Sequence, residues 1–430
     1  MNVSDSERVA SNLAGNGYEM TESEENADVI LINTCSVREK AEHKLYSRVG
    51  RIRHADRPKP VIGVMGCVAQ LEGNTLFKKI EGVDLVLGTR AVGRAAEALS
   101  SVFNGNTGVI DLGEREEDYD WTVADTHRHS PYVAFVPIIE GCNKFCTYCI
   151  VPFSRGRERS LTAAEIVRQV LELRRNGVRE VHLIGQNVNS YRPESYVGLE
   201  GFAGKSAFSK LLRAVAATGI ERIKFTTSFP RDFHEDIVDA IEEHPNLCNW
   251  VHLPVQSGSN RVLKLMKRGH TIDRYLKQID RLRASHRDIA ITTDIIVGFP
   301  GETEQDFQES VDLVNYCGYD GAYIFKYSPR PGTPAYEMID DVPEAEKTLR
   351  FLELENAQKS SQNQRLDRYL GREVSVLVEN ASTRTENGLT GHSTCHKIVN
   401  FVGSSDLLGH VLSVKINEIK RNSLFGELVK

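Results

Sequence analysis

The 430-residue chain holds no apolar run of about eighteen residues, so nothing in it reads as a membrane-spanning helix. Its first residues, Met1-Asn2-Val3-Ser4-Asp5-Ser6-Glu7, lack the basic and apolar regions of a secretory signal. Eight cysteines without such a signal point to a reducing cytoplasm, where thiols serve metals or catalysis. An excess of positive charge is also missing. The formal net charge is −6, so any nucleic-acid contact has to come from a local basic face. Neither a Gly-x-Gly-x-x-Gly string nor a P-loop is present, which removes the usual phosphate cradles. What remains is an ordinary soluble composition, 40% hydrophobic and 26% charged, on a chain long enough for two or three domains.

Against these absences stands one run, Gly141-Cys142-Asn143-Lys144-Phe145-Cys146-Thr147-Tyr148-Cys149. Three thiolates in a Cys-x3-Cys-x2-Cys spacing can hold three irons of a cubic iron–sulfur cluster. The fourth iron then stays open to a small molecule, whereas four-cysteine sites close a cluster for electron transfer. A zinc knuckle is the competing reading. It wants a fourth ligand, no second Cys-x2-Cys pair follows, and the nearest downstream histidine is His182.

The first hundred residues alternate strand and helix. Strands are expected at Val29–Cys35, Val61–Cys67 and Asp84–Gly88, with helices between and after them, the pattern of a doubly wound parallel sheet. Cys35 and Cys67 each end a strand, at the edge where open α/β sheets bind ligands. A lone cysteine there is commonly plain core, but two at equivalent positions make a shared site an equal reading. The chain opens on a helix, Ser4 to about Asn16, with no strand feeding it. Residues 105–131 read as a polar, acidic linker that includes Glu114-Arg115-Glu116-Glu117-Asp118.

A second β/α series follows, with strands at Val133–Ile139, Glu180–Ile184, Arg222–Thr227, Trp250–Val255, Ile289–Val297 and Gly321–Tyr327. Six units of this length suggest a full or partial (β/α) barrel, whose strand C-termini carry the chemistry. The cysteine loop follows the first of these strands. A long helix runs from Pro343 to about Leu370 and stops at Gly371. Short strands at Val374–Val378, Lys397–Val402, Val411–Ile419 and Leu424–Val429 then predict a small OB-like β-barrel. Cys248, Cys317 and Cys395 have no ligand-like spacing and read as small buried hydrophobes.

Several strings together resemble the radical S-adenosylmethionine methylthiotransferases across nearly the whole chain. They are Glu140 to Cys149, Leu183-Ile184-Gly185-Gln186-Asn187-Val188-Asn189, Phe225-Thr226-Thr227-Ser228 and His252-Leu253-Pro254-Val255-Gln256-Ser257-Gly258-Ser259. Asp294-Ile295-Ile296-Val297-Gly298-Phe299-Pro300-Gly301-Glu302 and Arg330-Pro331-Gly332-Thr333-Pro334 add to them. The second and third strings favour the branch acting on isopentenylated adenosine in tRNA. The family's architecture fits the segmentation: a methylthiotransferase N-terminal domain over residues 1–104, the 105–131 linker, a radical-SAM core over 132–366 and a TRAM domain over 367–430.

The resemblance implies that Cys142, Cys146 and Cys149 hold a 4Fe-4S cluster whose open iron chelates S-adenosylmethionine, and that a 5′-deoxyadenosyl radical results. A radical suits the reaction, because no side-chain base removes hydrogen from C2 of an adenine near neutral pH. It implies cofactor contacts for Tyr148, Gly185, Gln186, Asn187, Ser228, Asp294 and Val297. It implies a second, auxiliary 4Fe-4S cluster on Cys35 and Cys67. The family uses three cysteines there, the missing one in a Gly-Cys-Gln string just before the position of Met1. The absent strand and the absent ligand coincide, so a mis-assigned start or a truncation is expected. The TRAM module implies tRNA as partner, gripped near the anticodon loop. Arg155, Arg157 and Arg159 beside the cluster loop are candidate phosphate contacts. The terminal barrel carries Arg368, Arg372, Arg384, Lys397, Lys415, Lys420 and Arg421, of which Lys397, Lys420 and Arg421 are the candidate RNA contacts. A flavodoxin or ferredoxin as electron donor, a cytoplasmic location and a monomer complete the expectation. Sister readings are a methylthiotransferase for threonylcarbamoyl-adenosine or for a ribosomal-protein aspartate. A reading of another class is a non-catalytic iron–sulfur RNA-binding protein.

Overall fold

The structure is a computed structural model. It describes residues 1–35, 39–54, 58–113, 127–382 and 387–429. The acidic string Glu114 to Asp118 and Arg384 lie outside the described residues. The chain divides into two compact units. The first comprises Met1–His129, Glu140–Asn143 and Ile150–Glu158, and the second the remainder.

The first unit is a parallel sheet of β1 (Val29–Thr34), β2 (Val61–Gly66), β3 (Leu85–Leu87) and β4 (Val109–Asp111), in that order. Helix α1 (Asn2–Ala14) precedes β1, and α2 (Glu39–His54), α3 (Cys67–Glu72), α4 (Thr75–Lys79) and α5 (Ala95–Phe103) follow in sequence. Period-2 alternation gives both sheet faces an apolar set. Ile30, Ile32, Ile62, Val64 and Val86 pack with Leu45, Val49, Ile52, Val68 and Leu76 of α2, α3 and α4. Met65, Leu85 and Leu87 pack with Val9 and Leu13 of α1 and with Ala95 and Leu99 of α5. Helices thus cover both faces, as the doubly wound reading requires.

One boundary differs from expectation. Val109–Asp111, placed by sequence inside the linker, is a strand in register with β3, Leu85 opposite Val109. Three residues are too short a run to stand out from a polar stretch by periodicity.

In the second unit six parallel strands form the core: β5 (Val133–Pro137), then, beyond the short β6 (Ile139–Glu140) and β7 (Arg159–Ser160), β8 (Glu180–Ile184), β9 (Arg222–Phe225), β10 (Trp250–His252), β11 (Ala290–Val297) and β12 (Gly321–Lys326). They form two half-sheets, β5-β8-β9 and β10-β11-β12. Backbone hydrogen bonds join the halves, Cys248 N–H to the Ile223 carbonyl at 2.8 Å and Ser228 N–H to the His252 carbonyl at 3.1 Å. This is the expected partial barrel. The short α6 (Val151–Arg155), which belongs to the first unit, is followed by α7 (Ala163–Arg175), α8 (Ala207–Ala216), α9 (Asp236–Glu243), α10 (Asn260–Leu265), α11 (Ile272–Arg283) and α12 (Glu304–Cys317). Helix α13 (Glu344–Asp367) then leads to a closed barrel of β13 (Glu373–Ala381), β14 (Gly388–Ser393), β15 (Ile398–Val402), β16 (Val411–Lys420) and β17 (Ser423–Leu428). No helix among the described residues is long and apolar enough to cross a membrane.

Candidate functional site: a cysteine loop and the strand ends of a partial barrel

The cysteine loop begins in the first unit, crosses into the second at Lys144 and returns at Ile150. In the first unit, Gly141 has φ +78°, and a Cβ there would run into the Arg157 carbonyl, so only glycine fits. Cys142 is buried, and its N–H donates to the Gly156 carbonyl at 3.1 Å. In the second unit, Phe145 takes φ +48°, uncommon for a bulky residue. Cys149 N–H donates to the Cys146 carbonyl at 3.0 Å. Thr147 is tied on both sides, its N–H to the Met266 carbonyl at 3.1 Å and its hydroxyl to the Leu265 carbonyl at 2.9 Å. Lys144 meets Asp232 at 2.6 Å, both side chains nearly buried. The Arg268 guanidinium lies 3.6 Å from the Cys146 sulfur and 3.5 Å from the Tyr148 hydroxyl.

The other strand ends of this unit are equally shaped. After β8, Gly185 approaches Ile139 so closely that a Cβ would stand 2.7 Å from its carbonyl oxygen. Gln186 Oε1 is buried without a hydrogen-bond partner. After β9, Thr227 turns at φ +71° and presents Ser228, which is 1% exposed with its Oγ unpartnered. After β10, Gln256 turns at φ +79°, and after β11 Gly298 at φ +69°. Left-handed backbone recurs at three consecutive strand ends, and at Thr227 and Gln256, which are not glycine, it is the kind of strain that collects at functional sites. The unpartnered Gln186 Oε1 after β8 and Ser228 Oγ after β9 fit a small polar ligand, since buried polar groups otherwise find partners.

Among the described residues, no three His, Cys, Asp or Glu side chains gather around a single ion. A cube that takes one thiolate per iron does not need that convergence.

In the first unit, Thr34 and Gly66 are register partners at the ends of β1 and β2. Cys35 and Cys67 come next on each strand, so the topology sets the two thiols at one sheet edge. Gly66, at φ +92°, makes the sharp turn into Cys67, and a Cβ would meet the Thr34 carbonyl oxygen at 2.7 Å.

The Radical SAM superfamily matches residues 136–314, the Uncharacterized protein family UPF0004 residues 1–88, and the TRAM domain residues 367–429. The tRNA-2-methylthio-N(6)-dimethylallyladenosine synthase of Koribacter versatilis is 42% identical over 434 residues, spanning 100% of this chain and 96% of that protein. The synthase of Klebsiella pneumoniae is 43% identical over 437 residues, with 100% and 90% covered. The chain belongs to this synthase family. Among solved structures it is similar in fold to the radical S-adenosylmethionine methyltransferase TsrM of Kitasatospora setae, solved with cobalamin and a [4Fe-4S] cluster bound. The TM-score is 0.54 at 15% identity, over 77% of this chain and 73% of that one.

The residues expected from sequence fall out unevenly. Gly185, Gln186, Asn187 and Ser228 sit together at the ends of β8 and β9, where Val188 N–H donates to the Thr227 carbonyl at 3.0 Å. Asp294 and Val297 lie on β11, and Tyr148 packs edge-on to Phe299. Arg157, Arg159, Lys420 and Arg421 are exposed. Two RNA candidates are corrected. Arg155 is 2% exposed and held by Asp5 and Glu140, so its charge is spent inside the first unit. Lys397 donates to the Asp320 carbonyl at 3.0 Å and so docks the terminal barrel. Arg268, Lys144 and Asp232 were missed, because a charged residue in a loop looks the same in sequence whether buried or solvated. Burial pushes the Cys248 thiol up to about 11 and the Cys317 thiol up to about 12, in keeping with inert core cysteines.

Proposed function

We propose that the chain inserts a methylthio group at C2 of isopentenylated adenosine beside the tRNA anticodon, as a radical S-adenosylmethionine enzyme. The carrying observation is the three-thiol loop that directly follows the first strand of the partial barrel, among strand ends that offer unmatched polar groups. Cys142, Cys146 and Cys149 are the thiolates for the radical-SAM cluster. When bound, cluster and S-adenosylmethionine supply a radical able to take hydrogen from an unactivated aromatic carbon.

The chain's own residues bind and orient. Gly185, by lacking a side chain, lets the β8 end approach Ile139, just before the cysteine loop. Gln186 and Ser228 offer polar atoms to the amino-acid end of the cofactor, with Asn187 next to Gln186, and Tyr148 contacts it from the cysteine loop. Asp294 and Val297 line the β11 side. Cys35 and Cys67 supply thiolates to a second 4Fe-4S cluster on the sheet edge. Arg157, Arg159, Lys420 and Arg421 contact tRNA phosphates, which position the substrate without reading its sequence. A loop nucleotide can be splayed into a pocket at small cost. A flavodoxin or ferredoxin supplies the electron to a monomer working in the cytoplasm.

The test is nucleoside mass spectrometry of tRNA from a deletion strain. The reading expects the methylthio mark on isopentenyl-adenosine to vanish, to return with the intact gene, and to stay absent with Cys142→Ala. Loss of the mark on threonylcarbamoyl-adenosine instead would transfer the chain to the sister branch.

A further inference from the structure

Arg268 stands out among the buried charges of the second unit. It is 5% exposed, and among the described residues no carboxylate makes an ion pair with it. An arginine buried this deeply ordinarily has an anion beside it, because a lone charge in a low-dielectric site is costly. What surrounds it is polar or polarisable but uncharged in the ordinary sense. One terminal nitrogen donates to the Pro254 carbonyl at 2.6 Å. The other lies 3.6 Å from Cys146 Sγ and 3.5 Å from the Tyr148 hydroxyl. The planar group stacks over the Phe229 ring, 4.3 Å from its centroid. The remaining nitrogen, Nε, is buried without a partner.

The anionic partner that this arrangement lacks is supplied if Cys146 is a cluster thiolate. Phe229 shields one face of the guanidinium from water, which preserves its field at the sulfur. Pro254 follows β10, and its carbonyl holds the other terminal nitrogen, so the nitrogen aimed at sulfur is held rather than free to swing away.

We propose that Arg268 is the built-in counter-charge of the radical-SAM cluster, donating an N–H to the Cys146 sulfur and raising the cluster's reduction potential. The proposal rests on the assignment of Cys146 as a cluster ligand made above. Its physical basis is that reduction adds negative charge to the cube, and a fixed cation at a ligand sulfur stabilises the reduced form more than the oxidised one. Net charge, hydrogen bonds to sulfur and solvent exposure are the protein's means of setting such potentials. Arg268 is therefore a positioning and tuning residue rather than a catalytic one.

The test uses the full chain, reconstituted anaerobically with iron and sulfide, without S-adenosylmethionine. Iron per chain is counted, and the reduced cluster is followed by electron paramagnetic resonance during a mediated dithionite titration. Arg268→Gln removes the charge. The expected result is a reduced-to-oxidised ratio at least about tenfold lower at a fixed potential, a midpoint about 59 mV lower for a one-electron couple. Arg268→Lys keeps the charge and is expected to stay within about threefold of the parent. A Gln variant with full iron and an unmoved midpoint overturns the proposal. An arginine that serves only to grip the cofactor's carboxylate gives that same unmoved midpoint, since no cofactor is present. If the Gln variant fails to hold iron, the Lys variant decides: a midpoint lowered about tenfold in ratio despite the retained charge overturns the electrostatic account. A parent protein that takes up no more iron than its Cys142→Ala variant sinks the ligand assignment itself, a separate failure.

Discussion

Lys144 and Asp232 tie the middle of the cysteine loop to the turn after β9. Their 2.6 Å contact is nearly buried, and Ser190 donates a hydroxyl to the same carboxylate at 2.8 Å. Burial alone would raise the Asp232 pKa, but hydrogen bonds from Lys144 and Ser190 and the Lys144 charge bring it down to about 2. A carboxylate depressed in the folded state contributes stability above its unfolded pKa and loses it as pH falls through the folded one. The pair should thus contribute roughly 2 kcal/mol at neutral pH, disappearing between about pH 4 and pH 2. Urea unfolding at pH 6 and pH 3 measures this, and an Asp232→Asn variant should show a shallower acid slope. At pH 7 that variant, having taken the carboxylate from a buried ammonium, should lose about 3 kcal/mol or more and release iron to a chelator faster than the parent. Equal chelation rates would mean the loop does not depend on this tie. The cysteines were legible because their spacing lies within one short stretch of chain. Asp232, 88 residues beyond Lys144, was not, since nothing in the linear order marks which carboxylate a loop lysine will meet. Arg155 failed for the complementary reason: a basic string announces charge, not burial.

Helix α12 is the element whose start the sequence states most fully. Thr303 accepts from Asp306 N–H at 3.3 Å, and Asp306 accepts in return from Thr303 N–H at 2.8 Å, a complete capping box. Asp306 also takes the Ser259 hydroxyl at 2.6 Å, so the cap reaches the segment after β10. Thr303→Ala should cost about 1 kcal/mol, and Asp306→Ala distinctly more, because it also strands Ser259. Chemical denaturation midpoints of the two variants give the order, and a reversed order would refute the linkage. Elements of this kind, with caps and a long apolar period, were readable to within a few residues. All six barrel strands were found as well, because each lies in an apolar run bounded by polar or glycine-containing turns. Of the strands longer than two residues, two were not found. The three residues of β4 carry too short a signal, and β14 reads Gly388-Leu389-Thr390-Gly391-His392-Ser393, whose glycines look like a turn. Gly391 is there because its backbone presses against β13, where a Cβ would collide with the Leu377 carbonyl. Such a demand is made by the neighbouring strand, which sequence order does not display.

At the scale of the whole second unit, the terminal barrel is docked rather than tethered. Trp250 and Ala290, at the starts of β10 and β11, share one apolar cluster with Val376, Leu389 and Phe401 of the barrel. Arg222 donates to the His392 carbonyl at 2.8 Å, and Arg368 reaches Asp288 and Asp320, each at 2.7 Å. Cutting the chain after Asp367 would bare Trp250 and leave Arg222 short of its acceptor, so the truncated protein should aggregate rather than survive as a soluble core. Light scattering of the purified fragment tests this. Docking in turn separates two roles that the basic residues of the barrel could be confused over. Arg368 and Lys397 hold the barrel in place, whereas Lys420 and Arg421 stand exposed at the β16–β17 turn, Lys420 lying 4.8 Å from the Phe425 ring centroid. If the exposed pair meets two tRNA phosphates, the Lys420→Ala, Arg421→Ala double variant should leave the melting temperature unchanged. The slope of log affinity against log salt should become shallower by roughly 1.4, because each phosphate contact on a single-stranded loop releases about 0.7 of a counterion. Lys397→Ala should do the opposite, lowering the melting temperature with little change in slope. A double variant that keeps the full salt slope would place the tRNA on another face, with Arg157 and Arg159 next in line.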